Sequence, residues 1–278
     1  MVVLRVTDSE SDREIYYRDP ALFGRQSHVD RYVDIIARTF EVPRAALHVI
    51  AAAKGLIAGS VSFCRRDGTI IDASTDKEGL LVPNLNDVLS ADLNNVKWIL
   101  VIEKEATFRS IAASSFWDTL SGNGIMVTAK GYPDVSTRAM LRFLSTPKPH
   151  NGFSSPPVHA LVDFDPDGLA IFSTYKHGSE NLSHESSHLD LDQLQWLGLQ
   201  IESVLDDDSM RVDQGLLTLS RRDRAKATKM LGWEILAGED GVRKALQIML
   251  MLNIKAELQS LNDVPGAMNA FLESRLPS

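Results

Sequence analysis

Three short apolar runs constrain the fold of this chain more than any other feature. They are Lys97–Ile102 (KWILVI), Ile125–Thr128 (IMVT) and Val158–Val162 (VHALV). A strand buried on one face alternates apolar and polar residues, whereas a run without alternation is buried on both. Helical stretches lie between and after the three runs. The expected fold is therefore α/β with a parallel sheet, followed by a mostly helical C-terminal part. The ends of the runs are equally informative. The first ends at Glu103, the second at Ala129-Lys130-Gly131 and the third at Asp163-Phe164-Asp165. In open α/β sheets, ligands bind outside the carboxyl ends of the strands.

Positions two apart in an extended segment point to the same side. Asp163 and Asp165 are thus expected to converge on one ion, with Glu103 reaching it from a neighbouring strand. Hard oxygen donors with room for water and phosphate suit Mg²⁺, which neutralises a phosphodiester and orients it for in-line attack. An Asp-x-Asp pair equally suits a solvated turn or a helix N-cap, so both readings stand at this point. Asp167-Gly168 reads first as a turn or N-cap before Leu169–Tyr175, and second as a carboxylate beside the ion. The Pro- and Ser-rich segment Ser145–Pro157 reads as a loop.

The N-terminal third has a different pattern. Residues 8–18 read as the last turns of a helix stopped by Asp19-Pro20. Residues 25–40 place Val29, Tyr32, Val33, Ile36 and Phe40 at helical spacing, and a short third turn is expected from Pro43. Two β-type runs follow, LHVIAA and LIAGSVSF, separated by Ala53-Lys54-Gly55. Helices followed by a small ribbon are the pattern of a winged helix, whose helices dock in the DNA major groove. Arg13 and Tyr17 are four apart and share a helical face. A tyrosine hydroxyl is a poor nucleophile unless its anion is stabilised, and a guanidinium both favours phenolate and holds phosphate. On spacing alone, however, adjacent tyrosines are ordinarily packed or exposed aromatics.

Lys54-Gly55 and Lys130-Gly131 each pair a phosphate-binding cation with a glycine that lets backbone approach a ligand. The stretch Ser220–Met230 carries five basic residues and one acidic, and it follows the acidic run Asp206–Asp208. Charge is therefore segregated along a chain whose formal charge is −8. That balance speaks against nucleic acid at first sight, but carboxylates that hold a metal add charge the ion offsets. Arg221, Arg222 and Arg224 read as a solvated face or as contacts. His184 and His188 have no third ligand at a useful spacing and read as surface or structural residues. The single cysteine, Cys64, excludes an intrachain disulfide and a Cys-based zinc site, which fits a reducing compartment. No apolar run reaches the roughly 18 residues needed to span a bilayer. The first ten residues lack the basic flank and apolar stretch of a secretory signal. Residues 240–262 read as one helix with Leu246, Met249, Leu250, Ile254 and Leu258 on its apolar stripe.

Six segments carry a resemblance to a known family. They are REIYYRDPALFGRQ, ALHVIAAAKGLIAG, VIEKEATFRSI, GIMVTAKGYPDVSTR, ALVDFDPDGLAIFSTYKHGS and LQWLGL, with a weaker likeness in LTLSRRD and NIKAELQSL. In this order they resemble the meiotic double-strand-break transesterases, eukaryotic relatives of the archaeal topoisomerase VI A subunit. The resemblance implies a winged-helix domain over residues 1–92 and a Toprim domain with C-terminal helices over residues 93–278. It implies Tyr17 as the nucleophile, assisted by Arg13, and Glu103, Asp163 and Asp165 as ligands of Mg²⁺. Lys54, Lys130 and Tyr132 fall on positions that look like DNA contacts, and Arg138 and Arg222 are expected to join them. The implied protein is a nuclear homodimer on double-stranded DNA, acting with a topoisomerase VI B-like subunit plus other break-forming proteins. Only 16 residues precede Tyr17, so the first domain is expected to be N-terminally incomplete. Two alternatives share the fold: a Toprim nuclease or phosphotransferase that uses water, and a non-catalytic DNA-binding homologue.

Overall fold

The computed structural model describes residues 12–40, 42, 44–47, 49, 53–76, 78–178, 189–200, 215–262 and 266–276. The three apolar runs form β6 (Trp98–Ile102), β7 (Gly124–Thr128) and β8 (Val158–Leu161), each buried along its whole length. β6 is central, with β7 parallel on one side and β8 parallel on the other. β9 (Gln195–Gly198) adds a further parallel strand beside β8. Helices α4 (Glu105–Ala112) and α5 (Ser115–Leu120) connect β6 to β7. Helix α6 (Val135–Ser145) connects β7 to β8, and α7 (Pro166–His177) follows β8. The fold is α/β as expected. The loop before β8 is pinned by buried Asn151, whose Nδ2, with two N–H to donate, lies 2.9–3.2 Å from four backbone carbonyl oxygens.

The run LIAGSVSF is placed differently from the sequence expectation. Leu56–Gly59 (β1) does not form a ribbon with the residues after it. It pairs antiparallel with β7, and β4 (Leu80–Leu81) pairs with β1, so the sheet runs β4-β1-β7-β6-β8-β9. A division at residue 92 would separate β1 and β4 from the sheet they complete. The chain breaks its ladder at Ser60 and enters β2 (Ser62–Arg65), which lies between β3 (Ile70–Asp72) and β5 (Val88–Asp92) in a second sheet. The other expected strand, LHVIAA, lies largely outside the described residues.

The N-terminal helices are α1 (Asp12–Arg18), α2 (Pro20–Phe23) and α3 (Gln26–Thr39), followed by a 3₁₀ turn at Arg44–Leu47. Asp19 stops α1 and caps α2, its side chain accepting from Leu22 N–H at 2.9 Å with Pro20 next in line. Ile15, Val29, Val33 and Val49 form a small cluster separate from the main core. The expected stripe on α3 is only partly buried, because Tyr32, Ile36 and Phe40 are exposed.

The C-terminal part contains α8 (Arg221–Met230), α9 (Asp240–Leu252), α10 (Gln259–Asn262) and α11 (Ala267–Arg275). The helix expected over 240–262 ends at Leu252. Asn253 takes a left-handed conformation at φ 58°, which asparagine tolerates, and closes the helix by donating to Met249 O. The chain then forms β11 (Ile254–Ala256), paired with β10 (Leu216–Thr218). Ala256 also bridges Phe164 through two backbone hydrogen bonds of 2.9 and 3.0 Å. That bridge carries the residues after β11 to the carboxyl end of β8. His184, His188 and Asp206–Asp208 lie outside the described residues.

Candidate active site

From β6 the chain first builds β7 on one side of β6 and then returns to build β8 on the other. Such a reversal opens a crevice at the carboxyl ends of the strands. Glu103 stands there directly after β6, and its N–H extends the ladder to Leu161 O at 3.1 Å. Asp163 stands beside it after β8. Its N–H donates to Glu103 Oε2 at 2.9 Å, so the two buried acids meet across neighbouring strands. Asp163 Oδ1 accepts from Leu258 N–H at 2.8 Å, and Oδ2 lies 2.7 Å from Lys104 Nζ. Asp165 caps α7, its Oδ1 accepting from Gly168 N–H at 2.6 Å with Pro166 in the first helical position. The positive end of a helix favours a carboxylate there. A side chain at residue 168 would meet Asp163 O at 2.4 Å, so glycine is what lets α7 begin this close to the acids. The helix cap is therefore Asp165, not Asp167. Asp167 sits within the first turn and pairs with Lys226 of α8, which packs on α7.

Burial, followed by the charge of Asp163, pushes the Glu103 carboxyl up from 4.5 to about 8, against the Asp163 N–H that favours its anion. Burial also pushes Asp165 up, with Asp163 and Asp167 adding to it and the Gly168 N–H opposing. Burial disfavours the Lys104 ammonium, but Asp163 and Glu257 outweigh that and hold its proton above the usual range. Ionising all three acids together would thus place more negative charge in the crevice than its own residues neutralise. As the side chains lie, no three His, Cys, Asp or Glu among the described residues stand close enough to hold one ion. The expected convergence of Asp163, Asp165 and Glu103 is not met, for a visible reason. Glu103 and Asp165 are turned onto backbone N–H groups, and Asp163 is occupied by Lys104 and Leu258.

The other sequence candidates separate into three groups. β1 runs antiparallel to β7, with Leu56 opposite Thr128, so exposed Lys54 lies at the edge where the carboxylates emerge. The bareness of Gly55 serves packing, since a Cβ there would meet Thr137 Oγ1 at 2.3 Å. Lys130 is partly exposed and pairs with Glu105 at 3.2 Å. Exposed Tyr132 accepts from Lys226 Nζ at 2.8 Å, and Arg222 is exposed on α8. Arg138 does not belong with them. It is buried, donates to Leu189 O at 3.1 Å and pairs with Asp190 at 3.5 Å, so its guanidinium is committed inside the fold. Tyr17 is 70% exposed on α1, touching Tyr16 edge to face at 5.3 Å. Arg13 lies on the same helix, and its side chain is outside the described residues.

Sequence reading missed Lys104, Glu257 and Lys226. Lys104 adjoins Glu103, and Glu257 lies in the weakly matching NIKAELQSL segment, but nothing local ties either to Asp163.

Residues 98–276 match the Toprim-domain model of the topoisomerase 6 A-subunit/Spo11 family, and residues 4–49 match the type IIB DNA topoisomerase family. The chain is 38% identical over 254 residues to meiotic recombination protein rec12 of Schizosaccharomyces pombe, covering 91% of this chain and 68% of that protein. It is 34% identical over 252 residues to the human meiotic recombination protein SPO11, covering 90% and 61%. It is also 34% identical over 263 residues to the A3 subunit of DNA topoisomerase 6 of Oryza sativa subsp. indica, covering 94% and 57%. The chain thus spans about three fifths to two thirds of the length of these relatives. It belongs to the topoisomerase 6 A-subunit/Spo11 family and carries that family's Toprim domain from residue 98 to residue 276.

Proposed function

We propose that this protein makes the DNA double-strand breaks that start meiotic recombination, and that it does so by transesterification. The observation that carries the reading is the meeting of Glu103 and Asp163, beside Asp165, at the switch point of the sheet. Relatives named meiotic recombination proteins supply the process, and a relative named as part of topoisomerase 6 supplies the class of chemistry.

The Tyr17 phenolate oxygen attacks a DNA phosphorus. The Tyr17–phosphorus bond forms as the bond to the 3′ oxygen breaks, and that oxygen leaves as a 3′ hydroxyl. The product is a 5′-phosphotyrosyl link, so the phosphodiester is exchanged and not hydrolysed. Arg13 favours the phenolate and holds phosphate. Lys54, Lys130, Tyr132 and Arg222 contact the backbone of the DNA, and the helical N-terminal part serves as the winged-helix grip.

Glu103, Asp163 and Asp165 are the ligands for Mg²⁺. The fit rests on their chemistry: every donor is a hard oxygen, and an ammonium already rests on Asp163. When bound, such an ion offsets phosphate charge in the transition state. Two copies act together in the nucleus, one per strand, with help from a topoisomerase VI B-like subunit. The exposed Tyr17 of each copy serves the carboxylates of the other.

The test is denaturing immunoprecipitation of the tagged chain from meiotic cells. Wild type should retain covalently bound DNA 5′ ends, and Tyr17→Phe should fall to background. Breaks that persist without the adduct in Tyr17→Phe would indicate a nuclease using water at the same carboxylates.

A further inference from the structure

Lys104 opens α4 immediately after Glu103. Its Nζ lies 2.7 Å from Asp163 Oδ2 and 3.4 Å from Glu257 Oε2, and it donates to Gln259 Oε1. These partners differ in burial. The Asp163 side chain is 5% exposed and that of Glu257 is 42% exposed. One flexible ammonium therefore spans a buried carboxylate and a hydrated one. A buried carboxylate without a counter-charge is strongly destabilising, so Asp163 needs a cation whether or not metal is present. An ammonium and a divalent ion on one carboxylate repel each other. The four-carbon stem of lysine allows the ammonium to leave Asp163 while keeping the oxygens of Glu257 and Gln259.

We propose that Lys104 is the resident counter-cation of the carboxylate site, that a divalent ion displaces it from Asp163, and that Glu257 and Gln259 receive it. This rests on the reading that Glu103, Asp163 and Asp165 hold a divalent ion. Lys104 then has two effects. It compensates Asp163 in the empty site, and it lowers the affinity for metal by competing for the same oxygen. Glu257 acts through Lys104: by offering a second anion, it eases the release of Asp163. The segment is fixed for this role, because Leu258 N–H holds the other Asp163 oxygen and the Phe164–Ala256 bridge anchors the strand before it.

Calorimetric titration of the 278-residue chain with Mg²⁺ alone tests the proposal, using Lys104→Met, Glu257→Gln, the double variant and Lys104→Arg. A neighbouring opposite charge shifts proton affinity of a carboxylate by roughly one to three powers of ten. By the same competition Lys104→Met should bind Mg²⁺ at least about tenfold more tightly, and Lys104→Arg should bind as wild type does. Glu257→Gln should bind more weakly than wild type and lose most of that effect in the Lys104→Met background, the signature of action through one partner. Unchanged or weaker binding by Lys104→Met overturns the proposal. So does an undiminished Glu257→Gln effect in the double variant, which would make Glu257 a ligand. If Lys104→Met does not fold without metal, Lys104→Gln takes its place in both the single and the double variant, and the same outcomes support or overturn the proposal. Absence of saturable Mg²⁺ binding in wild type and all variants overturns the metal reading itself, and this proposal with it.

Discussion

Tyr17 is 70% exposed on a seven-residue helix, whereas Asp163 is 3% exposed at the end of a strand with no exposed residue. The cluster beneath α1 consists of Ile15, Val29, Val33 and Val49 among the described residues. The acids stand on a six-stranded sheet whose four interior strands are buried throughout. The two halves of the proposed chemistry are thus held in opposite ways. The carboxylates are fixed by backbone N–H groups, a helix cap and a lysine, as a charge-stabilising site requires. The tyrosine is presented outward, as a group that serves another copy's site would be. The proposed nucleophile and the proposed metal site stand on separate elements and can be separately disabled, and the cost to the fold should differ between them.

Asp163→Asn offers the largest contrast. It should abolish break formation, as Tyr17→Phe should, but it should also lower stability by about 1–3 kcal/mol, because it removes the buried partner of Lys104. Tyr17→Phe should leave denaturant-measured stability within about 0.5 kcal/mol of wild type. Equal stability losses would remove the distinction drawn between the two regions. Arg138→Met should cost about 2 kcal/mol by thermal or chemical unfolding, since it strips Asp190 and Leu189 O of a buried partner. The same variant should leave the salt dependence of DNA binding unchanged, which separates a structural arginine from a phosphate contact.

The pH response sharpens the contrast further. In the metal-free chain, folding raises the Glu103 pKa from 4.5 to about 8. The folded state then holds a proton that the unfolded state releases, so this residue's contribution to stability falls as pH rises from about 4.5 to about 8. Glu103→Gln should flatten that decline, and Mg²⁺ should offset it in wild type. The smallest effect is expected at Lys54, which is exposed at the strand-end edge. Lys54→Gln should weaken DNA binding across sequences and reduce the salt slope by about one.

Much of this arrangement was legible in the sequence, for local reasons. Runs such as WILVI and VHAL lack alternation, and acids follow two of them, so both the sheet and the Glu103–Asp163 edge could be read. The features that were misread depend on distant partners. Leu56–Gly59 has the composition of any short strand, and only its pairing with Ile125–Thr128 assigns it to the main sheet. Arg138 looks solvated among polar neighbours until Asp190 is brought against it. Asn253 ends α9 by its own backbone conformation, in the middle of a continuous apolar pattern. The cap of α7 was misplaced by two residues although the signal was present, since Pro166 in the first helical position makes Asp165 the cap. Local chemistry offers Tyr17 only the Arg13 guanidinium four residues away on the same helical face. The assignment of Tyr17 comes from its place in the REIYYRDP segment, and its exposure is compatible with that role.

The proposed division of labour between copies can be tested directly by co-expressing Tyr17→Phe and Glu103→Gln chains and recovering covalent DNA adducts. Each variant alone should give none. In a mixed dimer, the Glu103→Gln copy supplies an intact Tyr17 to the intact carboxylates of its partner, so adducts should reappear on one strand only. A mixture that yields no adduct, or adducts from the Tyr17→Phe chain alone, would contradict the account.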